Sequence, residues 1–294
     1  MTEAEFLARL RTLPLHPGAR GLTDDTALVA GLILTTDTLV EGVHFLANDP
    51  PQDVAWKLVA TNLSDLAAKG ARVEGVLLNL PLTDSRWDAT FVDGLAAVLS
   101  AHECPLIGGD TVSLPAGAPR VLTCTAIGAD APAPPRSGAK AGDGLWVTGT
   151  IGDAGAGLTV ARAGEGPADL LARYRRPTAR LAEGRALAPL VHAMMDVSDG
   201  LLIDAGRMAA ASGLAVTIDL ARIPLSTALR AHAPDPLAAA TAGDDYELLF
   251  ACADAPPVPA TRIGSFAPGS GLALIHDGQP VPLPPRLGFE HGLR

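Results

Sequence analysis

Three features of this sequence predict an α/β (α+β) fold in two lobes. Its 294 residues exceed what one typical core organises. Short apolar runs that read as strands alternate with longer helical patterns through both halves. A stretch rich in Ala, Pro and Gly, residues 129–143, interrupts the alternation near the middle. The boundary is placed there, with one lobe over residues 1–130 and the second over 131–294.

The elements follow in order. Thr2-Glu3-Ala4-Glu5 is a helix-capping pattern, and a helix is expected over 3–12. Residues 28–36 read as one buried strand, which Asp37 closes. A long helical pattern covers 52–69 and ends at Gly70, a C′ residue. Residues 73–80 read as a strand stopped by Pro81, and 86–102 as a helix. A short strand at 105–107 precedes Gly108-Gly109, and another covers 121–127. In the second half, a strand at 145–148 feeds a glycine-rich turn. Helices are expected over 153–163, 167–174, 178–192 and 199–212, and strands over 194–197, 214–218 and 246–251. The tail, 260–294, alternates short strands with Pro/Gly turns, and no internal repeat stands out.

Composition excludes several function classes. The formal net charge is -10 and no useful Lys/Arg run exists, so a bare nucleic-acid binder is not expected. An acidic chain still binds phosphates if its carboxylates hold divalent cations. Cys104, Cys124 and Cys252 are odd in number, widely spaced and form no CxxC. That argues against a disulfide framework or structural zinc and fits a reducing cytosol. The acidic N-terminus has no apolar h-region, and the longest apolar run, 28–34, is too short to span a bilayer. A cytoplasmic protein without a membrane partner is expected. Lys57, Lys69 and Lys140 are the only lysines; the excess of Arg reads as a base-composition bias without functional weight.

The aspartates carry the chemistry. Asp24-Asp25 precede the first strand, Asp37 ends it, and Asp65 lies in Asn62-Leu63-Ser64-Asp65. Asp110 follows Gly108-Gly109, Asp196 and Asp199 bracket Val197-Ser198, and Asp244-Asp245 follow Gly243. Each alone reads as a helix cap or turn, as Asp24, Asp84, Asp153 and Asp199 illustrate. As a set, at element ends in a chain only 18% charged, they point to hard-cation sites, with Mg²⁺ the natural occupant. Thr35, Thr36 and Ser198 would add oxygens. No GxxxxGK[ST], GxGxxG, HExxH or GxSxG occurs, so P-loop, dinucleotide, zincin and hydrolase readings fail. The turn at 149–157 serves packing or phosphate contact equally well. His44, seven residues after Asp37, is a substrate candidate, while His102 and His192 fall in helical patterns and read as structural. Arg175-Arg176 reads as a solvated helix end or a phosphate contact, and Arg136, between the lobes, is the better phosphate candidate.

Read in sequence, these segments resemble the thiamine-monophosphate kinase family, within the PurM-like ATP-binding superfamily. The specific elements are Thr35-Thr36-Asp37-Thr38 with Gly42-Val43-His44-Phe45, and Asn62-Leu63-Ser64-Asp65-Leu66-Ala67-Ala68-Lys69-Gly70-Ala71. Gly108-Gly109-Asp110-Thr111 and Ser198-Asp199-Gly200-Leu201 are shared across the superfamily. The resemblance runs through nearly the whole chain. It implies an N-terminal ATP- and metal-binding lobe that dimerises, a C-terminal α/β lobe, and active sites near the dimer interface of a homodimer. It carries over Asp25, Thr35, Thr36, Asp37, Asp65, Asp110, Asp196 and Asp199 as Mg²⁺ ligands, with Asp37, Asp110 and Asp199 catalytic. Gly109, Asp110, Arg136 and Ser198 carry over as ATP contacts, and His44, Asp244 and Phe289 as substrate contacts. Two positions depart from the family pattern: Thr23 where Gly is usual, and Asp244 where Glu is usual.

The implied reaction is transfer of the ATP γ-phosphate, in line and without a phosphoenzyme, to thiamine monophosphate, giving thiamine diphosphate. A phosphomonoester, with a second pKa of roughly 6, is already an oxyanion near neutral pH and needs no general base. Rival members fit less well. A selenophosphate synthetase wants a reactive Cys or selenocysteine near the N-terminus, and the hydrogenase-maturation dehydratase wants a C-terminal Cys. Aminoimidazole ribonucleotide synthetase, the runner-up, wants a GTK-like run where Asp37 leads into Thr38-Leu39-Val40. A regulatory module without turnover has no need of so many carboxylates.

Overall fold

A computed structural model describes residues 2–290 of the chain. Helix α1 (Glu3–Leu10) opens with the expected capping box, in which the Thr2 hydroxyl accepts from the Glu5 N–H at 3.2 Å and Glu5 accepts from the Thr2 N–H at 2.8 Å. The first sheet holds β1 (Ala27–Val29), β2 (Leu32–Val40), β3 (Arg72–Leu82), β4 (Leu106–Ser113) and β5 (Val121–Ala129), in the order β1-β2-β5-β3-β4. All its pairings are antiparallel except β3 with β4, which the crossover helix α3 (Ser85–Ala101) connects. Helix α2 (Pro51–Ala68) packs on one face of this sheet, with α3 beside it. Thr36 and Thr38 on β2, Leu77 and Asn79 on β3, and the whole of β4 are exposed.

The α/β expectation holds, with local corrections. The apolar run at 28–36 is a hairpin: Ala30 (φ 52°) and Gly31 (φ 82°) make a left-handed turn between β1 and β2. Strand β2 continues to Val40, so Asp37 is mid-strand, opposite Cys124, and closes nothing. Thr35 and Asp37 take inward positions between Ile33 and Leu39, where periodicity leads one to expect apolar residues. Gly108, Gly109 and Asp110 likewise lie inside β4, which tolerates glycines as an edge strand. Pro81 does not stop β3. It pairs with Val112, beyond the point where pairing with β5 ends at Asn79, so its missing N–H costs no ladder bond there.

The second sheet runs β12-β11-β8-β10-β6-β9-β7, built from β6 (Gly144–Thr148), β7 (Ala193–Asp196), β8 (Leu214–Asp219), β9 (Leu248–Cys252), β10 (Ala260–Pro268), β11 (Gly271–His276) and β12 (Gln279–Val281). Its helices are α4 (Asp153–Ala163), α5 (Ala168–Arg175), α6 (Leu181–Leu187), α7 (Leu201–Ser212), α8 (Thr227–His232) and α9 (Pro236–Thr241). The expected helix at 178–192 shrinks to α6, and His192 lies ahead of β7, paired with Asp143 at 2.9 Å. Two short helices, α8 and α9, were not legible; Ser226 and Asp235 cap them.

Each sheet has its own apolar core, and a third cluster joins them. In that cluster Ala67 and Ala68 at the end of α2 meet Leu187, Ala188, Met194, Leu248 and Phe250. Helix α2 is therefore enclosed by both lobes: from Val54 to Ala68 every residue except Trp56 is buried. The approach to α6 is close. A Cβ on Gly184 would lie 2.0 Å from the Ala67 carbonyl oxygen, so only glycine fits there.

Candidate active site

Helix α2 carries polar side chains into the interior between the lobes, and the site grows around them. Asp65 on α2, Asp25 in the turn before β1, and Asp196 at the end of β7 bring carboxylate oxygens within 4.8 Å of one another. Thr35 on β2 donates its hydroxyl to Asp65. The Ser64 hydroxyl donates to Asp196 at 2.6 Å, across the lobe boundary. Asp37 is fixed at its backbone, where its N–H donates to the Asn62 side chain at 3.1 Å.

Cations flank one side of the cluster. Lys69, fully buried on α2's C-cap, lies 2.6 Å from Asp24 and 3.0 Å from Asp25, and it also donates to the Met194 carbonyl at 3.1 Å. Arg136, from the segment between the sheets, pairs with Asp25 through its guanidinium, and its backbone N–H donates to Asp24 at 3.2 Å. Burial alone would raise the Asp25 carboxyl, but Lys69 and Arg136 hold it down at about 2. Among the described residues no such partner is found for Asp37, Asp65 or Asp196. Burial, then Asp25 and Asp199, push Asp37 up to about 6. Burial and Asp25 push Asp196 up to about 8 against the Ser64 hydrogen bond. Asp65 rises well above its ordinary value through burial and then Asp196, Asp37 and Asp25.

Converging buried carboxylates without enough positive charge fit a hard divalent cation, which takes oxygen ligands. Arg136 adds a second sign. Its Nε is buried and has no hydrogen-bond partner among the described residues, which suits an incoming phosphate oxygen. The donor set therefore fits Mg²⁺ held by Asp25, Asp65 and Asp196, with Asp37 beside them.

Two acidic loops close the site. The N–H of Tyr246 donates to the Val197 carbonyl and that of Asp244 to the Ser198 carbonyl, each at 2.8 Å, laying residues 196–199 alongside 244–247. Asp199 is not the cap of α7. Gly200 holds that position, and Asp204 reaches back to accept from the N–H groups of Asp199 and Gly200 at 3.2 Å. The Asp199 carboxylate pairs with Arg207, and its carbonyl accepts from the Phe289 N–H at 2.8 Å. Asp244 (φ 71°) and Tyr246 (φ 52°) both sit in the left-handed region, a strain that packing must hold. The Asp244 carboxylate meets Lys57 at 2.6 Å and the Tyr246 hydroxyl at 3.1 Å. His44, in the turn after β2, accepts at Nδ1 from the Val40 N–H at 3.0 Å and at its carbonyl from Lys57 at 3.0 Å.

The predicted residues thus divide. Asp25, Thr35, Asp37, Asp65, Asp196, Asp199, Arg136 and Ser198 come together between the lobes, with His44, Asp244 and Phe289 around them. Thr36 points to the other face of β2, where its hydroxyl donates to the Cys124 carbonyl at 3.1 Å. Gly109 and Asp110 lie on β4, with β5 and β3 between them and Asp37, about 14 Å across at ~4.8 Å per strand spacing. Asp110 is exposed there and accepts from the Thr111 N–H.

Sequence reading missed Lys57, Lys69, Asn62, Ser64 and Tyr246 as working parts. The signal was present for the lysines: Lys57, Thr61, Ser64, Asp65 and Lys69 recur at helical spacing, a polar stripe along an otherwise apolar segment. Of the acids set aside as caps, Asp84 does cap α3. Asp24 instead pairs with Arg20 and Lys69, and Asp153 accepts from Thr150 and Ser226 at 2.6 Å.

Residues 23–129 match the family model for the N-terminal domain of AIR synthase related proteins, and residues 140–277 match the model for the C-terminal domain. The thiamine-monophosphate kinase of Escherichia coli K12 is 39% identical over 98% of this chain and 96% of its own length. That of Caulobacter vibrioides is 38% identical, over 99% and 91%. A solved structure of AaThiL complexed with AMPPCP and TMP superposes with a TM-score of 0.86 at 29% identity, covering 99% of this chain and 97% of that one. The hydrogenase maturation protein HypE of E. coli has a TM-score of 0.71 at 21% identity over 88% of each chain, a likeness of fold alone.

Proposed function

The chain belongs to the thiamine-monophosphate kinase family, and from that premise we propose how its site phosphorylates thiamine monophosphate with ATP. The observation that carries the reading is the convergence of Asp25, Asp65 and Asp196 from three elements of both lobes, beside Arg136 with an unspent Nε. The acceptor is a phosphate ester, already an oxyanion, so the site needs no base to make it nucleophilic. It needs instead to hold two polyanions side by side. Mg²⁺ held by Asp25, Asp37, Asp65, Asp196 and Asp199 would neutralise their charge and so favour in-line transfer.

The protein's own groups do the rest. Arg136 is placed to bind a phosphate oxygen while pairing with Asp25, and Ser198 lies on the same loop as Asp196 and Asp199. Asp244, His44 and Phe289 frame the acceptor side. Thr35 and Ser64 each spend a hydroxyl hydrogen on a carboxylate, leaving the remaining carboxylate lone pairs for a cation.

The functional unit is a homodimer in this reading. The uncovered side of the N-terminal sheet and the fully exposed β4 support it, because an unpaired apolar edge is rarely left in solvent. Leu106, Ile107 and Val112 on that strand are each about half exposed. Gly109 and Asp110 would then serve a site near the interface instead of the cluster of their own chain. The lobes divide at residue 130, at the end of the first sheet. Among the described residues no helix is long and apolar enough to cross a membrane, and we place the enzyme in the cytoplasm, where its three buried thiols stay reduced.

Incubation with ATP, Mg²⁺ and thiamine monophosphate should give thiamine diphosphate and ADP in equal amounts. Hydrolysis of ATP without thiamine diphosphate, or no turnover at all, would refute the assignment.

A further inference from the structure

Lys57 on α2 is buried, 2% exposed. Its ammonium lies 2.6 Å from Asp244 Oδ2, 3.0 Å from the His44 carbonyl oxygen, and 4.3 Å from the centre of the Tyr174 ring. His44 belongs to the first lobe, while Asp244 and Tyr174 belong to the second, so one side chain ties together groups from both. Asp244 is gripped at both oxygens, by Lys57 at Oδ2 and by the Tyr246 hydroxyl at Oδ1, yet its side chain keeps 31% exposure. It is therefore held from behind and open in front. A buried ammonium is costly unless paired, and here the pairing falls on the two residues that frame the acceptor.

We propose that Lys57 is a positioning residue for the phosphate-ester acceptor, fixing Asp244 and the His44 turn in one relative placement across the lobe boundary. The inference rests on the acceptor reading given above. Lys57 does not touch the acceptor, because its hydrogen bonds and its contact with the Tyr174 ring are all internal. It acts through Asp244. An aspartate has only two side-chain torsions, so where its carboxylate stands depends on what holds it from α2.

The test is a double-mutant cycle read by steady-state kinetics for both substrates. Lys57→Met should raise KM for thiamine monophosphate about tenfold, with KM for ATP unchanged within about twofold, the pattern of lost acceptor placement. On an Asp244→Asn background, the same substitution should change the acceptor KM by less than about twofold, since the residue it acts through is already altered. Lys57→Arg keeps the charge and hence the fold, but its longer planar group cannot place Asp244 the same way, so its acceptor KM should also rise. If Lys57→Met fails to fold, Lys57→Arg alone decides the matter. Equal rises in both KM values, additive effects in the cycle, or a normal acceptor KM in the folded variants would overturn the proposal while leaving the kinase reading intact. A wild-type chain that leaves thiamine monophosphate unphosphorylated would overturn both.

Discussion

Asp37 sits mid-strand on β2 with its side chain on the same face as Thr35, and burial together with Asp25 and Asp199 raises its carboxyl to about 6. A turn aspartate would tolerate asparagine, since both suit turns. This one should not. Asp37→Asn is expected to lower kcat by roughly 10²-fold or more with the thermal transition intact, the scale of one lost preorganised charge contact. Near-normal turnover would return it to a structural role. The raised carboxyls also set a pH dependence. An aspartate whose folded pKa is raised binds its proton more tightly folded than unfolded, so its contribution to stability is present at low pH and lost as pH rises through the folded value. With Asp37 at about 6 and Asp196 at about 8, the metal-free protein should lose stability on going from mildly acidic to mildly alkaline pH. Mg²⁺ binding displaces those protons, so it should tighten over the same window. Melting curves with chelator and with Mg²⁺ across that range would check it; a gap between them that narrows as pH rises would contradict it. Lys69 works in the other direction. Lys69→Met leaves Asp24 and Asp25 buried beside fewer cations and should cost about 3–5 kcal/mol in urea unfolding. The acids of the site were legible because Asp recurs beside Gly, Ser and Thr next to apolar runs. The lysines were less so, because their burial depends on packing from two lobes.

At the scale of elements, α2 organises the site, since Lys57, Asn62, Ser64 and Asp65 all project from it and Lys69 follows at its C-cap. Its length and its Gly70 end could be read from the pattern. That both lobes enclose it could not, because α6 reaches it from far along the chain. Gly184 is the pressure point of that contact. Gly184→Ala should overpack the α2–α6 crossing and cost about 1–3 kcal/mol, with a loss of turnover as the two halves of the site move apart. Unchanged stability in calorimetry would mean that the crossing relaxes. Strand reading failed where polar or flexible residues occupy ladder positions. The Ala30-Gly31 turn hid inside an apolar run, and Gly108-Gly109-Asp110 looked like a loop because glycine pairs usually are one.

For the whole molecule, the alternation of strands and helices made the α/β class legible, and the carboxylate spacing made most of the acidic cluster legible. What joined them was tertiary: Ser64 to Asp196, Lys57 to Asp244 and Arg136 to Asp25 each span more than a hundred residues. The exposed β4 edge predicts that light scattering at micromolar concentration reports about twice the 30.0 kDa chain mass. A fully active monomer would remove the reason for assigning Asp110 to an interface.

We propose that the acceptor brings its own oxyanion, because the site aligns and neutralises phosphates and its carboxylates serve as cation ligands, not as a base. The most direct measurement is kcat/KM for thiamine monophosphate and for unphosphorylated thiamine, with ATP and Mg²⁺ held constant. The neutral alcohol would need a general base, a contribution of about 10²-fold or more, so the monophosphate should be preferred by at least that factor. Thiamine accepted as well as or better than its monophosphate would contradict the account.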